Sequence, residues 1–274
     1  MIAVEHVSAD ERARLASLWQ TRAVSESRVR VVFDQLVAEL TATGAHADVI
    51  ALARHAADDE DRHAAICAEL AAAYRGGTAE VIGEPTQRLP DFTPDVRLRA
   101  ALHAITLCCI SESLACAFVE ACIDACDDAE LRKIHTRHLA DEVRHARIGW
   151  AHVASLSEAE RAAVEPFLED ILRAQVVGWE ARIATLPEGG VPGHGYPPRA
   201  TLVDVIRSAV RELVLPGFAH VGIAATAARA WFDVYAGGDA FNFRNFLGDC
   251  FDVESVPVQR GGGYCGCCGA GCCG

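Results

Sequence analysis

The sequence predicts an all-α fold organised around four long helices. Alanine, leucine and arginine are abundant among the 274 residues, aromatic residues make up only 7%, and the alternation typical of strands is scarce. Two long stretches with helical periodicity also contain nearly the same six residues, Asp59-Glu60-Asp61-Arg62-His63-Ala64 and Asp141-Glu142-Val143-Arg144-His145-Ala146. A chain of this length can form one large or two small domains with a sizeable core.

Each repeated string places a glutamate three residues before a histidine. On a helix, this spacing brings the two side chains to one face, one turn apart, where they can bind the same metal ion. The pairs are Glu60 with His63, and Glu142 with His145. Two such ExxH pairs on separate helices are the ligand pattern of a two-metal site inside a four-helix bundle. A single ExxH is weak support, but repetition of D-E-x-R-H-A is hard to attribute to chance.

Such a site also needs a carboxylate on the helix that precedes each ExxH helix. In a helical hairpin, residues at equal depth are equidistant from the turn. Glu26 and Glu60 have their midpoint at Thr43, within the helix-stop sequence 41–44. Glu26 also lies on the apolar side of its helix, although a place in a polar surface patch is the alternative interpretation.

The second hairpin meets the same requirement. Glu112 and Glu142 have their midpoint at Asp127, where two consecutive aspartates indicate a turn and a new helix. Glu112 is a lone acid in a strongly apolar stretch, with Cys108 and Cys116 one turn to either side. These thiols are expected near the metal or as small core residues. The predicted ligands are Glu26, Glu60, His63, Glu112, Glu142 and His145.

This ligand set resembles that of the ferritin-like di-iron carboxylate proteins, in which two helices each supply a glutamate and two others each supply an ExxH. The resemblance covers about residues 8 to 156 and does not single out a subfamily. It implies two iron ions, with manganese as the other option. One ion would be held by Glu60, His63 and Glu26, and the other by Glu142, His145 and Glu112, with a glutamate of each ExxH bridging.

The resemblance also implies partners for the two histidines and a class of reaction. In the family, the acid just before each ExxH commonly binds the histidine of the opposite motif, so Asp141 would orient His63 and Asp59 would orient His145. The expected function is a non-haem di-iron oxidase or oxygenase that activates dioxygen or peroxide toward a small-molecule substrate, with an external electron donor. Cys109 stands where rubrerythrin-type peroxidases carry an extra glutamate, which disfavours that peroxidase type.

The sequence is also compatible with two other functions. One is a metal-handling or iron-oxidising protein in which a thiol-rich tail captures metal, and the other is a structural bundle without metal. The tail cysteines lack the paired CxxC spacing of a zinc ribbon and could bind a soft ion, undergo redox chemistry or lipidation, or be a substrate for modification. They are Cys265, Cys267, Cys268, Cys272 and Cys273.

The predicted organisation has three parts. Residues 1–156 form the ferritin-like four-helix bundle, with helices near 8–41, 46–74, 93–126 and 128–155. Residues 157–250 add helices that pack on the bundle or form a homodimer interface, with an interruption at Pro216-Gly217. Residues 251–274 form a flexible, disordered Cys/Gly-rich tail.

Charge and hydropathy suggest the protein's surroundings. The net charge of −13 argues against nucleic acid or an anionic membrane as the main partner. We expect no apolar stretch long enough to span a membrane and no signal peptide, and hence a cytoplasmic protein. His138 and His152 share the face of His145 but stand seven residues away, about 10 Å by helix rise, which is too far to bind the same ion. We therefore interpret them as core or second-site histidines and only His145 as a ligand.

Overall fold

The computed structural model describes residues 2, 4–80 and 87–237. Over these ranges the chain is all-α, as predicted, and contains no β-strand. Residues 1 to 231 form one compact unit, and the described part of the second unit is the end of the last helix. The predicted Cys/Gly-rich tail, with all five of its cysteines, lies outside the described residues.

The first two helices form an antiparallel hairpin. Helix α1 spans Ala9–Thr43 and begins with a capping box in which the side chains of Ser8 and Glu11 each bind the other's backbone N–H. Gly44 ends it in the left-handed conformation, with φ of 71°. Helix α2 spans Ala47–Arg75 and packs along α1.

The third and fourth helices form a second hairpin. Helix α3 spans Val96–Asp124 and begins three residues later than the predicted position 93. Asp95 caps it, because the Asp95 carboxylate accepts hydrogen bonds from two backbone N–H groups of the first turn. Helix α4 spans Ala129–Ser155 and packs on α3 and on α2. The first part of α3 also contacts α1.

The middle of α3, Ile105–Glu112, is a π-helical stretch. It lies against Gly149 of α4, where an added Cβ would be 2.7 Å from the backbone nitrogen of Cys109. No L side chain fits at that separation, so α3 and α4 are in close contact beside Glu112. Single-turn π-bulges are frequent at functional sites, and this longer stretch ends at a predicted ligand.

The expectation that no segment is apolar and long enough to cross a membrane is wrong for α3. By length and composition this helix meets the requirement, and it does so alone among the described helices. However, 72% of its most apolar window is buried inside the protein. The apolar composition of α3 follows from its position against α1 and α4, because a helix that is buried on several faces is apolar on each of them.

Further along the described chain, three helices contact α3. Helix α5, Glu158–Val164, leads through a 3₁₀ turn into α6, Leu168–Ala184, which contacts the π-helical stretch. Helix α7 begins as Arg199–Ala209, passes through the π-helical Val210–Val214 and continues as Leu215–His220. Helix α8 spans Thr226–Gly237.

The predicted interruption at Pro216-Gly217 is wrong, because the helix continues through both residues and stops at His220. The wider π-helical turn before Pro216 offers a reason, since a proline ring clashes with the preceding turn of a regular α-helix. Gly217 is required for packing: an added Cβ would lie 2.6 Å from the indole ring of Trp150.

Two clusters of buried apolar side chains in the described residues lie along the α1–α2 hairpin. One contains Leu15 and Trp19 of α1 with Tyr74 of α2, and the other contains Phe33 of α1 with Val49 of α2. The central turns of both helices, between these clusters, carry the predicted metal ligands. The ionisable groups are therefore enclosed by apolar side chains on both sides along the helix axes.

Candidate metal centre

Five of the six predicted ligands form a deeply buried cluster contributed by α2, α3 and α4. Each has between 1% and 4% of its surface exposed: Glu60, His63, Glu112, Glu142 and His145. Burial of ionisable groups in an apolar interior is costly unless they are paired or bind metal. Three carboxyl groups and two imidazoles in one cluster therefore require a compensating charge.

The two ExxH glutamates lie between the two ExxH histidines. The Nδ1 atom of His145 is 3.1 Å from an oxygen of Glu60 and 3.4 Å from one of Glu142. The Nδ1 atom of His63 is 3.6 Å from Glu60 and 3.9 Å from Glu142. Each histidine thus presents the same ring nitrogen toward both glutamates.

Among the described residues, possible ligand atoms within 4.8 Å of one another form two groups, which share Glu142. One group consists of Glu60, Glu112, Glu142 and His145, and the other of His63, His138 and Glu142. This division differs from the predicted one, which assigned Glu60 to the ion of His63 together with Glu26. Helix spacing placed each ExxH on one face, but it could not show toward which neighbour the glutamate turns.

Glu26 lies at the edge of the cluster and belongs to neither group. Its carboxylate accepts a hydrogen bond from Nε of Arg22 at 3.0 Å, one turn earlier on α1. The same oxygen is 3.7 Å from Nε2 of His138. Equal depth in the hairpin therefore places Glu26 near the centre, as predicted, but Arg22 on the same helix face binds its carboxylate.

His138 is a site residue that the sequence analysis placed outside the ligand set. Its Nε2 atom is 2.6 Å from an oxygen of Glu142, and its ring stacks on that of His63 with centroids 3.8 Å apart. The expectation compared His138 only with His145, seven residues away. The relevant spacing is the single turn from His138 to Glu142, which places both on one face of α4.

Two aspartates contact the histidines of the opposite motifs. Nε2 of His63 donates to Asp141 at 3.0 Å, and Nε2 of His145 lies 3.3 Å from Asp59. Arg62 joins the two carboxylates, at 2.7 Å from Asp59 and 2.6 Å from Asp141. In a neutral ring, which is the form that binds metal, a proton held on Nε2 leaves Nδ1 as the lone-pair atom that faces the glutamates.

Hydrogen bonding holds both aspartates in their charged form. Burial raises the pKa of Asp59, but hydrogen bonds from His145 and Arg62 outweigh it and lower the pKa. Burial likewise raises the pKa of Asp141, and the bonds from His63 and Arg62 again lower it. Both carboxylates are thus anionic acceptors for the imidazole N–H groups at neutral pH.

Four buried atoms of the cluster have no hydrogen-bond partner in the described part of the chain. They are Oε2 of Glu60, Nδ1 of His63, Oε2 of Glu142 and Nδ1 of His145. Buried polar side-chain atoms usually have a partner, so unpaired ones need an explanation. All four belong to the ExxH pairs, and carboxylate oxygen and imidazole nitrogen are donors suited to iron or manganese. The residues present therefore fit a two-metal centre.

Protons balance part of this charge in the metal-free protein. Burial lowers the pKa of His63, but the carboxylates of Glu60 and Glu142 outweigh it and raise the pKa to about 9. The pKa of His145 is also raised, because contacts with Asp59, Glu142 and Glu60 overcome its burial. Burial and the charge of Glu142 raise the pKa of Glu112 well above its usual value.

The cysteines beside Glu112 are free and belong to the core. Cys108 and Cys109 are fully buried, and Cys116 is partly buried. Burial raises the pKa of Cys116 to about 12 and raises the pKa of Cys108 well above its usual value, with the nearby carboxylates acting in the same direction. A thiol that stays protonated at neutral pH packs as a small hydrophobic group rather than binding metal.

A cavity of about 430 Å³ adjoins the cluster. Helix α6 contributes Trp179, Arg182 and Ile183 to its wall, and α3 contributes Phe118. Four carboxylates line it, from Glu26, Glu60, Glu112 and Glu142. The added C-terminal segment thus encloses a space that reaches the candidate ligands.

Comparisons with protein-family models, with curated proteins and with solved structures give no match for this chain. The functional argument therefore rests on the residues and geometry described above.

Proposed function

We propose that the chain is a ferritin-like di-metal carboxylate oxidoreductase, with α1 to α4 as its four-helix bundle. The observation that carries the proposal is the set of four buried ligand atoms on the two ExxH motifs that have no hydrogen-bond partner among the described residues. The contacts among α1 to α4 support the bundle. The internal repetition of D-E-x-R-H-A, with Asp59 and Asp141 reaching the opposite histidines, supports the family.

Two divalent ions would be held by ligands that share Glu142. Glu60, Glu112 and His145 would complete one ligand set, and His63 with His138 the other. Glu26 would join the second set if its carboxylate turned from Arg22. Mixed carboxylate and imidazole donors suit iron, with manganese as the other ion.

Bound iron would supply the redox chemistry by which dioxygen or peroxide is reduced, with electrons from an external donor. The protein's own groups prepare the site. Asp141 and Asp59 hold the protons of His63 and His145 on Nε2, so that both Nδ1 atoms face the centre. The apolar clusters on either side exclude water, and the cavity admits a molecule beside Glu112.

The cavity is the reason to favour substrate oxidation over metal handling. A volume of about 430 Å³ next to the carboxylates falls within the range of small-molecule sites. Iron oxidation needs access for an ion but no apolar chamber of this size. The metal-handling alternative depends on the tail cysteines, which lie outside the described residues.

Metal content tests the proposal directly. The full-length chain, loaded with Mn(II) and desalted, is compared with Glu142→Ala by elemental analysis. Manganese is chosen because thiolates bind it weakly, which limits uptake by the tail. We expect two ions per chain in the wild type, and their loss in the variant because Glu142 belongs to both groups. Equal metal content in the two proteins, or none in either, contradicts the proposal.

With metal binding established, the reaction class is tested by oxygen consumption. The ferrous protein is supplied with a chemical reductant and a panel of small organic acids, alcohols and amines. Oxidised product formed in proportion to the oxygen consumed supports an oxidase or oxygenase. Iron oxidation that loads far more than two ions per chain favours the metal-handling alternative instead.

A further inference from the structure

The cavity beside the candidate metal centre contains two arginines as well as carboxylates. Arg22 binds Glu26 through Nε, but its Nη1 atom is buried and has no hydrogen-bond partner in the described ranges. Arg182 makes no ion pair within 4 Å among the described residues, and its side chain is exposed at the cavity wall. Both guanidinium groups therefore retain donors that can serve a ligand.

Two aromatic rings in contact with each other also contact the two arginines along one wall of the cavity. The guanidinium of Arg22 lies 5.8 Å from the ring centre of Phe118, whose ring is 5.6 Å from that of Trp179. The guanidinium of Arg182 then lies 4.2 Å from the centre of Trp179. Phe118 and Trp179 thus form an aromatic surface in which Phe118 contacts Arg22 and Trp179 contacts Arg182.

The charge of the occupied site indicates the kind of ligand. Two divalent cations carry four positive charges, and the four carboxylates that line the cavity carry four negative charges: Glu26, Glu60, Glu112 and Glu142. Arg22 is then no longer balanced by Glu26, and Arg182 has no ion pair of its own. A cavity with an excess of positive charge favours an anionic ligand. The metal-loaded cavity should therefore attract an acid more strongly than the metal-free one.

We propose that the cavity binds an organic acid with an apolar body, and that Arg182 binds its carboxylate. The planar guanidinium matches a carboxylate, and stacking on Trp179 holds its plane in place. The apolar body lies along Phe118 and Trp179 and extends toward the carboxylates of the centre. This assignment deepens the proposed oxidoreductase function and rests on it, because it names the class of substrate.

Binding of paired acids and alcohols tests the assignment. The probes are decanoate with 1-decanol, and 4-phenylbutyrate with 4-phenylbutan-1-ol, titrated calorimetrically into the full-length chain whose Mn(II) content has first been measured. At least one acid should bind about tenfold or more tightly than its alcohol, as expected for a charge-assisted hydrogen bond. The tighter of the two acids distinguishes a linear from an aromatic body.

Arg182→Gln should remove the preference for the acid, and Arg182→Lys should retain part of it through the remaining charge. Arg54→Gln, at an exposed arginine of α2 that does not line the cavity, is the matched control and should change neither affinity. Melting temperatures of the three variants verify folding, and the Lys variant keeps the test open if the Gln variant is unstable. The preference should also weaken in the metal-free protein.

Outcomes separate this inference from the proposed function. If Mn(II) binds but acids and alcohols bind alike, or Arg182→Gln keeps the preference, the substrate assignment is overturned and the metal centre stands. If acids bind equally well with and without Mn(II), the charge argument is overturned. If Mn(II) does not bind at all, the proposed function itself fails, whatever the probes do.

Discussion

Replacement of Asp141 by asparagine tests whether the histidine partners tune a metal centre. Asp141 accepts a hydrogen bond from Nε2 of His63 at 3.0 Å and another from Arg62 at 2.6 Å, and Arg144 contacts its second oxygen. Asparagine preserves the size of the side chain but removes the negative charge and one acceptor. His63 then loses the partner that holds its proton on Nε2.

The expected magnitude follows from this geometry. Loss of an outer partner of a metal-binding histidine weakens metal affinity by about 10- to 100-fold, or about 1.4 to 2.7 kcal/mol. Asp59→Asn should have a smaller effect at the other ion, because Asp59 lies 3.3 Å from His145 and its contact is longer. Each substitution should weaken one of two binding steps and spare the other.

The assay is calorimetric titration of Mn(II) into the metal-free full-length protein, with stoichiometry checked by elemental analysis. Asp58→Asn is the matched control, since Asp58 is an exposed acid on α2 one position before Asp59. Circular dichroism and melting temperature establish that each variant folds. If Asp141→Asn binds two ions as tightly as the wild type, His63 does not bind metal through an oriented Nδ1, and the reasoning is refuted.

Three further predictions concern packing, pH and metal. Gly149→Ala should lower the free energy of unfolding by about 1 to 3 kcal/mol in urea, because its methyl group would overlap Cys109. Gly178→Ala on α6 is the control: its methyl group would enter open space, so the free energy of unfolding should rise by about 0.5 to 1 kcal/mol. The same change in both variants would contradict the close contact between α3 and α4 at Gly149. Burial lowers the pKa of His135 to about 2, so the folded state stays neutral while the unfolded state gains a proton below about pH 6.5. The contribution of His135 to the free energy of unfolding should therefore be fully present above that pH and should fall by about 2 kcal/mol from pH 7 to pH 5. His135→Met should remove this part of the pH dependence, as measured by urea titrations at both pH values. Mn(II) at 100 times its Kd should raise the free energy of unfolding of the wild type by about 2.7 kcal/mol for each bound ion. A chelator should reverse the increase and Glu142→Ala should lack it, and a similar gain in that variant would place the ions elsewhere.

Local sequence patterns predict the positions of the helices and place the two residues of each ExxH pair on one helix face. Capping residues such as Ser8 and Gly44 act within one turn, so their sequence signatures predict helix ends to within a residue or two. The spacing of Glu60 and His63 depends only on helix periodicity, and the structure buries both together. The interruption predicted at Pro216 is wrong because a π-helical turn accommodates the proline, and no local signal marks that turn.

The sequence by itself determined an all-α chain and the side chains that an ExxH motif directs to one face, because both follow from the 3.6-residue period. Only the tertiary structure decided how those side chains are shared. It turned Glu60 toward His145, brought His138 onto His63 and bound Glu26 to Arg22. It also placed Arg182 of α6 at the cavity wall. These arrangements depend on the distances between helices that are far apart in the chain. Packing sets those distances, and the helix period carries no information about them.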